Sequence, residues 1–239
     1  MPEDPAPPLS LGVVHRRWTR LVRVNSDHRP LTEMFSNPED REAAREVRAI
    51  ADDILAASTR PEGEPEQQPP TRPSGAAVRM APFAALGQPS RFSDGTYGIL
   101  YGGLDRETAI AETVFHSERH LRATDEAPIE FDMQSYVGFI VKPLEDLRGA
   151  AFAHLHQPSL DTWPICQAYG RERRRAGAWG LLYPSARHQG GECIGVFRPS
   201  AVSIPTRDTL YRYCWNGATV YRVLTISEVR DYSPVYRVA

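Results

Sequence analysis

Cysteine is scarce in this 239-residue chain, and its three cysteines, Cys166, Cys193 and Cys214, are scattered. An odd number without metal-ligand spacing excludes a disulfide framework and a zinc knuckle, and reads as reduced thiols in a cytoplasmic protein. No apolar run approaches the roughly 20 residues that a membrane helix requires. The first ten residues, MPEDPAPPLS, have neither the basic nor the apolar region of a secretory signal. Charge of one sign is also missing: a formal net charge of −2 and a pI near 6.4 give no general attraction to nucleic acid or anionic membrane. A local basic pocket for a small phosphorylated ligand stays open. There is no Gly-x-Gly-x-x-Gly and no phosphate loop. No Ser-His-Asp set can be assembled, and His154 and His156 have no further ligand at a zinc-like spacing. The expectation is a cytoplasmic protein without metal, membrane or direct nucleic-acid binding.

What the chain does have is 41% hydrophobic and 9% aromatic residues, enough to fill one core at a length that suits one domain with an elaboration. Residues 1–14 read as a flexible tail and residues 15–239 as a single domain. Proline is plentiful, at 21 residues. The stretch Thr59 to Ala76 (TRPEGEPEQQPPTRPSGA) cannot nucleate a core and reads as a disordered insertion. Before it, Asn37-Pro38-Glu39-Asp40 is a helix start, with apolar positions following through Leu55. Part of His15 to Asn25 reads as a strand. Beyond the insertion, Gly98 to Gly102 is a short strand, Asp105 to about Leu121 a helix capped by Asp105, and Ile129 to Val141 one or two strands. A helix from about Asp161 to Ala176 stops at Gly177 with arginines at its negative end. Strands at Gly180 to Pro184, Cys193 to Phe197, Leu210 to Trp215 and Thr219 to Thr225 are joined as hairpins by His188-Gln189-Gly190-Gly191 and Asn216-Gly217. The fold class is α+β with mostly antiparallel strands.

Among candidate functional residues, Glu112 carries most information. On the 105–121 helix, Leu104, Thr108, Ala111 and Phe115 define an inward face at spacings of three and four, and Glu112 falls on it. A carboxylate there needs a partner or a task; an arginine pair is the plainer account, catalysis the sharper one. Arg91, beside the Gly-containing turn Phe92-Ser93-Asp94-Gly95, can present a planar fork to a phosphate or serve as an ordinary loop arginine. Tyr101, at a strand end, stacks on a planar ligand or fills the core. Ser185, in Tyr183-Pro184-Ser185-Ala186-Arg187, carries a hydroxyl at a strand-to-turn junction, where backbone capping is the common use.

The motifs RFSDGTYGILYGG, TAIAETVFH, the Gln167 to Gly170 stretch and GLLYPSARHQGGECIGVF follow one another between Arg91 and Phe197. In order and wording this set resembles the RES domain, named for its Arg, Glu and Ser; Leu21-Val22-Arg23-Val24 is similar to the family's opening strand. The resemblance implies a fold like the ADP-ribosyltransferase toxins, a split, mostly antiparallel β core with flanking helices around an NAD⁺ cleft. It implies a toxin of a two-gene system, neutralised by an Xre-type antitoxin. The implied activity is cleavage of the nicotinamide–ribose bond of NAD⁺, by phosphorolysis or hydrolysis, with NAD⁺ as substrate, inorganic phosphate as a possible co-substrate and no bound cofactor. Glu112 and Arg91 are then the catalytic candidates, and Tyr101, Ser185 and Arg23 the substrate-binding ones. Two other readings compete: ADP-ribosyl transfer to a protein, and a non-catalytic partner-binding module with Glu112 and Arg91 as a structural ion pair.

Overall fold

Asp105 sets the first long helix. Its backbone is extended, with φ −132° and ψ 169°. Its carboxylate accepts from Thr108 N at 2.6 Å and from Thr108 Oγ1 at 2.8 Å, which satisfies a first-turn donor that the helix itself cannot. The computed structural model describes residues 11–12, 14–24 and 73–227. The helix expected from Asn37 and most of the Thr59 to Ala76 stretch lie outside the described residues.

Three α-helices occur among the described residues: α1, Gly75–Ala84; α2, Arg106–Ala123; and α3, Trp163–Arg175. The last two match the sequence expectation. At the end of α3, Gly177 takes φ +92°, and Ala178 N returns to Arg173 O at 3.0 Å, closing the helix in the left-handed geometry glycine tolerates best. Helix α1 corrects the expected end of the disordered stretch. Ser74 caps it, accepting from Ala77 N at 3.2 Å, and Val78 is buried, so Ser74, Gly75 and Ala76 belong to a packed element.

Nine strands of the described residues form one sheet: β1, Leu11–Gly12; β2, Arg17–Val24; β3, Leu100–Gly103; β4, Ile129–Phe139; β5, Leu144–Asp146; β6, Gly180–Pro184; β7, Glu192–Val196; β8, Thr206–Trp215; and β9, Val220–Ile226. Their order is β1-β5-β6-β7-β3-β2-β4-β8-β9, antiparallel except where β5 meets β6. Strand β1 lies in the expected flexible tail, yet Leu11 and Gly12 pair with Glu145 and Leu144. Strands β2 and β4 share eight register pairs, whereas β2 and β3 meet at one, Thr19 with Gly103. The sheet is therefore two half-sheets joined at a narrow seam, β1-β5-β6-β7-β3 on one side and β2-β4-β8-β9 on the other.

Strand alternation sorts the core. Leu182, Ile194 and Val196 join Trp18 and Leu100 on one face. Leu181, Tyr183 and Cys193 point the other way, into a cluster with Phe92 and Cys166 of α3. Across the seam, Leu21, Phe131 and Tyr213 pack with Ala109 and Leu121 of α2. The seam thus lies between two apolar clusters, with α2 beside it. A Cβ on Gly103 would fall 2.6 Å from Ala109 N, so glycine lets the first turns of α2 rest directly on β3.

Candidate active site

A cavity of about 360 Å³ opens at this seam, bordered by β2, β3, α2, the turn before β3 and the ends of β6 and β7. Glu112 reaches it from α2. Its Oε1 accepts from Ser185 Oγ at 2.6 Å and from the Cys193 thiol at 3.6 Å. Ser185 Oγ in turn accepts from Arg187 N at 3.1 Å and His188 N at 3.0 Å. Both lone pairs of the hydroxyl are committed to the turn, so its one proton points to Glu112. The capping use of Ser185 and its link to Glu112 hold together. Among the described residues the Ser185 hydroxyl is fully engaged, its proton on Glu112 and its oxygen on the two turn amides. Thr108 Oγ1 and His188 Nδ1, 2.8 Å apart, tie the start of α2 to the same turn. The expected inward stripe is rotated slightly: Thr108, Ala109 and Leu121 are the buried positions of α2, and Ala111 is only half-buried.

Burial raises the Cys193 thiol well above its ordinary range, with Glu112 adding to the effect. The thiol stays protonated and can donate to the carboxylate.

Arg91 comes from the turn before β3. Its Nη1 donates to Leu155 O at 3.1 Å and to Gln157 O at 3.0 Å. The turn is fixed from two sides. Tyr101 OH accepts from Phe92 N at 3.1 Å and shares a 2.9 Å bond with Ser90 Oγ, while Gln167 Nε2 of α3 donates to Ser90 O at 2.9 Å. A Cβ on Gly170 would sit 2.2 Å from Phe92 O, so the Gln167 to Gly170 stretch is the seat on which the Arg91 turn rests. Tyr101 borders the cavity with its hydroxyl already engaged, and burial pushes that hydroxyl well above its ordinary range.

Three further arginines, which sequence reasoning left unassigned, border the same cavity: Arg20, Arg119 and Arg187. Arg187 lies 3.4 Å over the Phe115 ring and donates from Nη2 to Pro158 O at 2.7 Å. Arg119 stacks 5.3 Å over Trp163. Arg20 reaches across the seam, Nη1 donating to Tyr101 O at 2.9 Å, and desolvation holds its pKa down at about 10. His116, from α2, is kept below the usual imidazole range first by desolvation, with Glu112 pulling the other way. Among the described lining residues Glu112 is the single carboxylate, facing four guanidinium groups.

Arg23 is a correction. It is exposed on β2, its guanidinium 4.4 Å from the Phe131 ring, and it borders a second hollow of about 250 Å³ with His116 and His120 rather than the cavity of Glu112. Arg20 is half-buried on β2 between the buried Thr19 and Leu21, and its residue type alone does not mark it out. The seam that makes room for it depends on strands more than 80 residues away in sequence and has no local signature.

The RES domain profile matches residues 69–216, well over half of the chain. The chain belongs to the RES domain family. The matched span of this RES-domain chain includes Arg91, Tyr101, Glu112 and Ser185 and excludes β2 with Arg20 and Arg23. Among curated proteins it is 30% identical over 148 residues to the uncharacterized protein y4oC of Sinorhizobium fredii (strain NBRC 101917 / NGR234), covering 59% of this chain and 58% of that protein. The RES-domain chain therefore matches less than two thirds of that relative's length. Among solved structures it is similar to a chain from the crystal structure of the M. tuberculosis MbcT-MbcA toxin-antitoxin complex, with 13% identity, a TM-score of 0.43 and 88% of each chain covered. Among the described residues, no helix is long and apolar enough to cross a membrane.

Proposed function

We propose that this RES-domain protein cleaves the bond between nicotinamide and ribose in NAD⁺, as a toxin held in check by an Xre-type antitoxin. The observation that carries the catalytic reading is one oriented carboxylate, Glu112, in a cavity bordered by four arginines. Arginines suit the pyrophosphate of a dinucleotide, since a guanidinium fork matches phosphate oxygens in geometry and charge. A lone carboxylate among them suits a reaction in which positive charge builds on the sugar. As the N-glycosidic bond breaks, its electron pair passes to the pyridinium nitrogen and nicotinamide leaves neutral, so no proton has to be delivered to it. The ribose acquires oxocarbenium character, which Glu112 stabilises more strongly in the transition state than in the ground state. An oxygen of phosphate or water then bonds to the same carbon, and water loses one proton in doing so. Ser185 and Cys193 hold the carboxylate in place, and the faces of Tyr101, Phe115 and Trp163 offer stacking partners for a planar base.

The test is NAD⁺ consumption by purified protein with and without inorganic phosphate, with products identified by mass. Loss of NAD⁺ is expected, and a phosphate-dependent product with the mass of ADP-ribose phosphate would specify phosphorolysis. Glu112→Gln keeps the size and an oxygen acceptor for Ser185 but removes the charge, and should slow turnover by about 100- to 1000-fold with an unchanged circular dichroism spectrum. Near-normal turnover in that variant would remove Glu112 from the chemistry. Label from NAD⁺ recovered on protein, in place of free products, would replace cleavage by transfer.

A further inference from the structure

Two half-buried arginines elsewhere in the molecule are matched by acids. Arg173 meets the buried Glu145 in a two-pronged contact at 2.7 and 2.9 Å, and Arg212 meets the buried Asp132 at 2.8 and 3.2 Å. Three of the cavity arginines are anchored to the protein: Arg91 and Arg187 on the carbonyls of residues 155–158, and Arg119 on Trp163. Arg20 is different. Among the described residues it forms no ion pair, its hydrogen bond is the one from Nη1 to Tyr101 O, and its Nε is out of solvent without a partner. Arg79 on α1 also has an unpartnered Nε, but Arg20 borders the cavity that holds Glu112. A guanidinium withdrawn from water without an anion is unfavourable by itself. Here the backbone bond occupies Nη1, on the far side of the group. Nη2 forms no hydrogen bond among the described residues and is not shut off from solvent as Nε is, so it is the donor left for a phosphate oxygen.

We infer that Arg20 binds the pyrophosphate of the substrate, so that the site selects pyridine nucleotides carrying phosphate on the ribose over the uncharged-tail nucleoside. This rests on the NAD⁺ reading for the identity of the ligand. The anion-binding role itself rests on the geometry of Arg20. The residue lies on β2, outside the span of the family match, where motif comparison gives it no role. It touches substrate without touching the reacting carbon, so its effect falls on affinity.

The test is Arg20→Gln, with Arg20→Lys as the conservative partner, assayed against NAD⁺ and nicotinamide riboside. Arg20→Gln should raise KM for NAD⁺ by about 10- to 100-fold with kcat within a few-fold. The slow cleavage of nicotinamide riboside should be unchanged, as should KM for inorganic phosphate at saturating NAD⁺. Arg20→Lys should recover part of the affinity. The melting temperature of Arg20→Gln should equal or exceed that of the parent, because an uncompensated buried charge has been removed. Equal losses on both substrates with a lower melting temperature would mean a structural arginine and would overturn the inference, as would a rise in KM for phosphate alone. If the parent protein consumes no NAD⁺, calorimetric titration with inorganic pyrophosphate reads the role directly. Binding by the parent that Arg20→Gln loses sustains an anion site without NAD⁺ chemistry; equal binding, or none by the parent, ends it.

Discussion

Ser185 has one proton and two lone pairs, and each has a defined destination: Glu112 for the proton, the amides of Arg187 and His188 for the lone pairs. On the proposed reaction, a hydroxyl so engaged acts through the carboxylate it orients. Ser185→Ala should therefore lower kcat for NAD⁺ by about 10- to 100-fold with little change in KM. It should also cost about 1–2 kcal/mol of stability, since two turn amides lose their acceptor. Urea unfolding alongside steady-state kinetics separates the two effects. If KM rises and kcat holds, Ser185 contacts substrate directly. Four of the five residues singled out from the sequence, Arg91, Tyr101, Glu112 and Ser185, meet at one place, and what brought them together on paper was the order of family motifs. Helical spacing put Glu112 near an inward face but could not supply Ser185, 73 residues away. Arg23 and Arg20 look alike in sequence, two arginines three positions apart on one strand. Alternation turns them to opposite sides of β2, and only the arrangement of neighbouring strands decides which one meets the cavity.

Among the elements, the segment 155–158 is held by side chains rather than by a ladder. Arg91 takes the carbonyls of Leu155 and Gln157, Arg187 takes that of Pro158, and the Cys166 thiol also donates to Leu155 O at 3.4 Å. Between these contacts sits His156, its Nε2 buried without a partner among the described residues. Burial first, then the nearby charges of Arg91 and His154, bring its pKa down to about 4. In the unfolded chain the same imidazole titrates near 6.5. Between those values the unfolded state binds the extra proton, so stability falls as pH drops from about 6.5 towards 4. Thermal melts across that window should show a steeper acid loss for the parent than for His156→Gln. Parallel curves would mean that His156 is solvated. Elements of this kind were hard to read from sequence. Helices α2 and α3 announced themselves by Asp105 and Gly177, and the hairpins by their glycine turns. Strand β5 has three residues and β1 two, too few for any period to register. The start of α1 was hidden because Ser74 continues the proline-rich composition ahead of it, although a serine before Gly-Ala-Ala-Val is itself a capping signal.

On the scale of the whole molecule, the two half-sheets meet at the single pair of Thr19 and Gly103, and the cavity opens where they part. A ligand seated there touches both halves. Saturating ADP-ribose should raise the melting temperature, with a stabilisation of about 2.7 kcal/mol at a hundredfold excess over Kd. Hydrogen exchange should slow most at the amides of residues 19–21 and 101–103. Protection confined to one half-sheet would mean that the ligand binds elsewhere.

The position of β2 has a consequence for synthesis. Residues 17–24 are made before their sheet neighbours, residues 100–103 on one side and 129–139 on the other. Strand β2 waits without its sheet neighbours until those later segments have been made, a long-range closure of the kind that folds slowly. Ser185 and Cys193, which hold the carboxylate of Glu112, emerge later still. A nascent chain therefore carries Arg20, Arg91, Glu112 and Arg119 before the two groups that hold the carboxylate exist, and the proposed reaction has no finished site until Cys193 is in place.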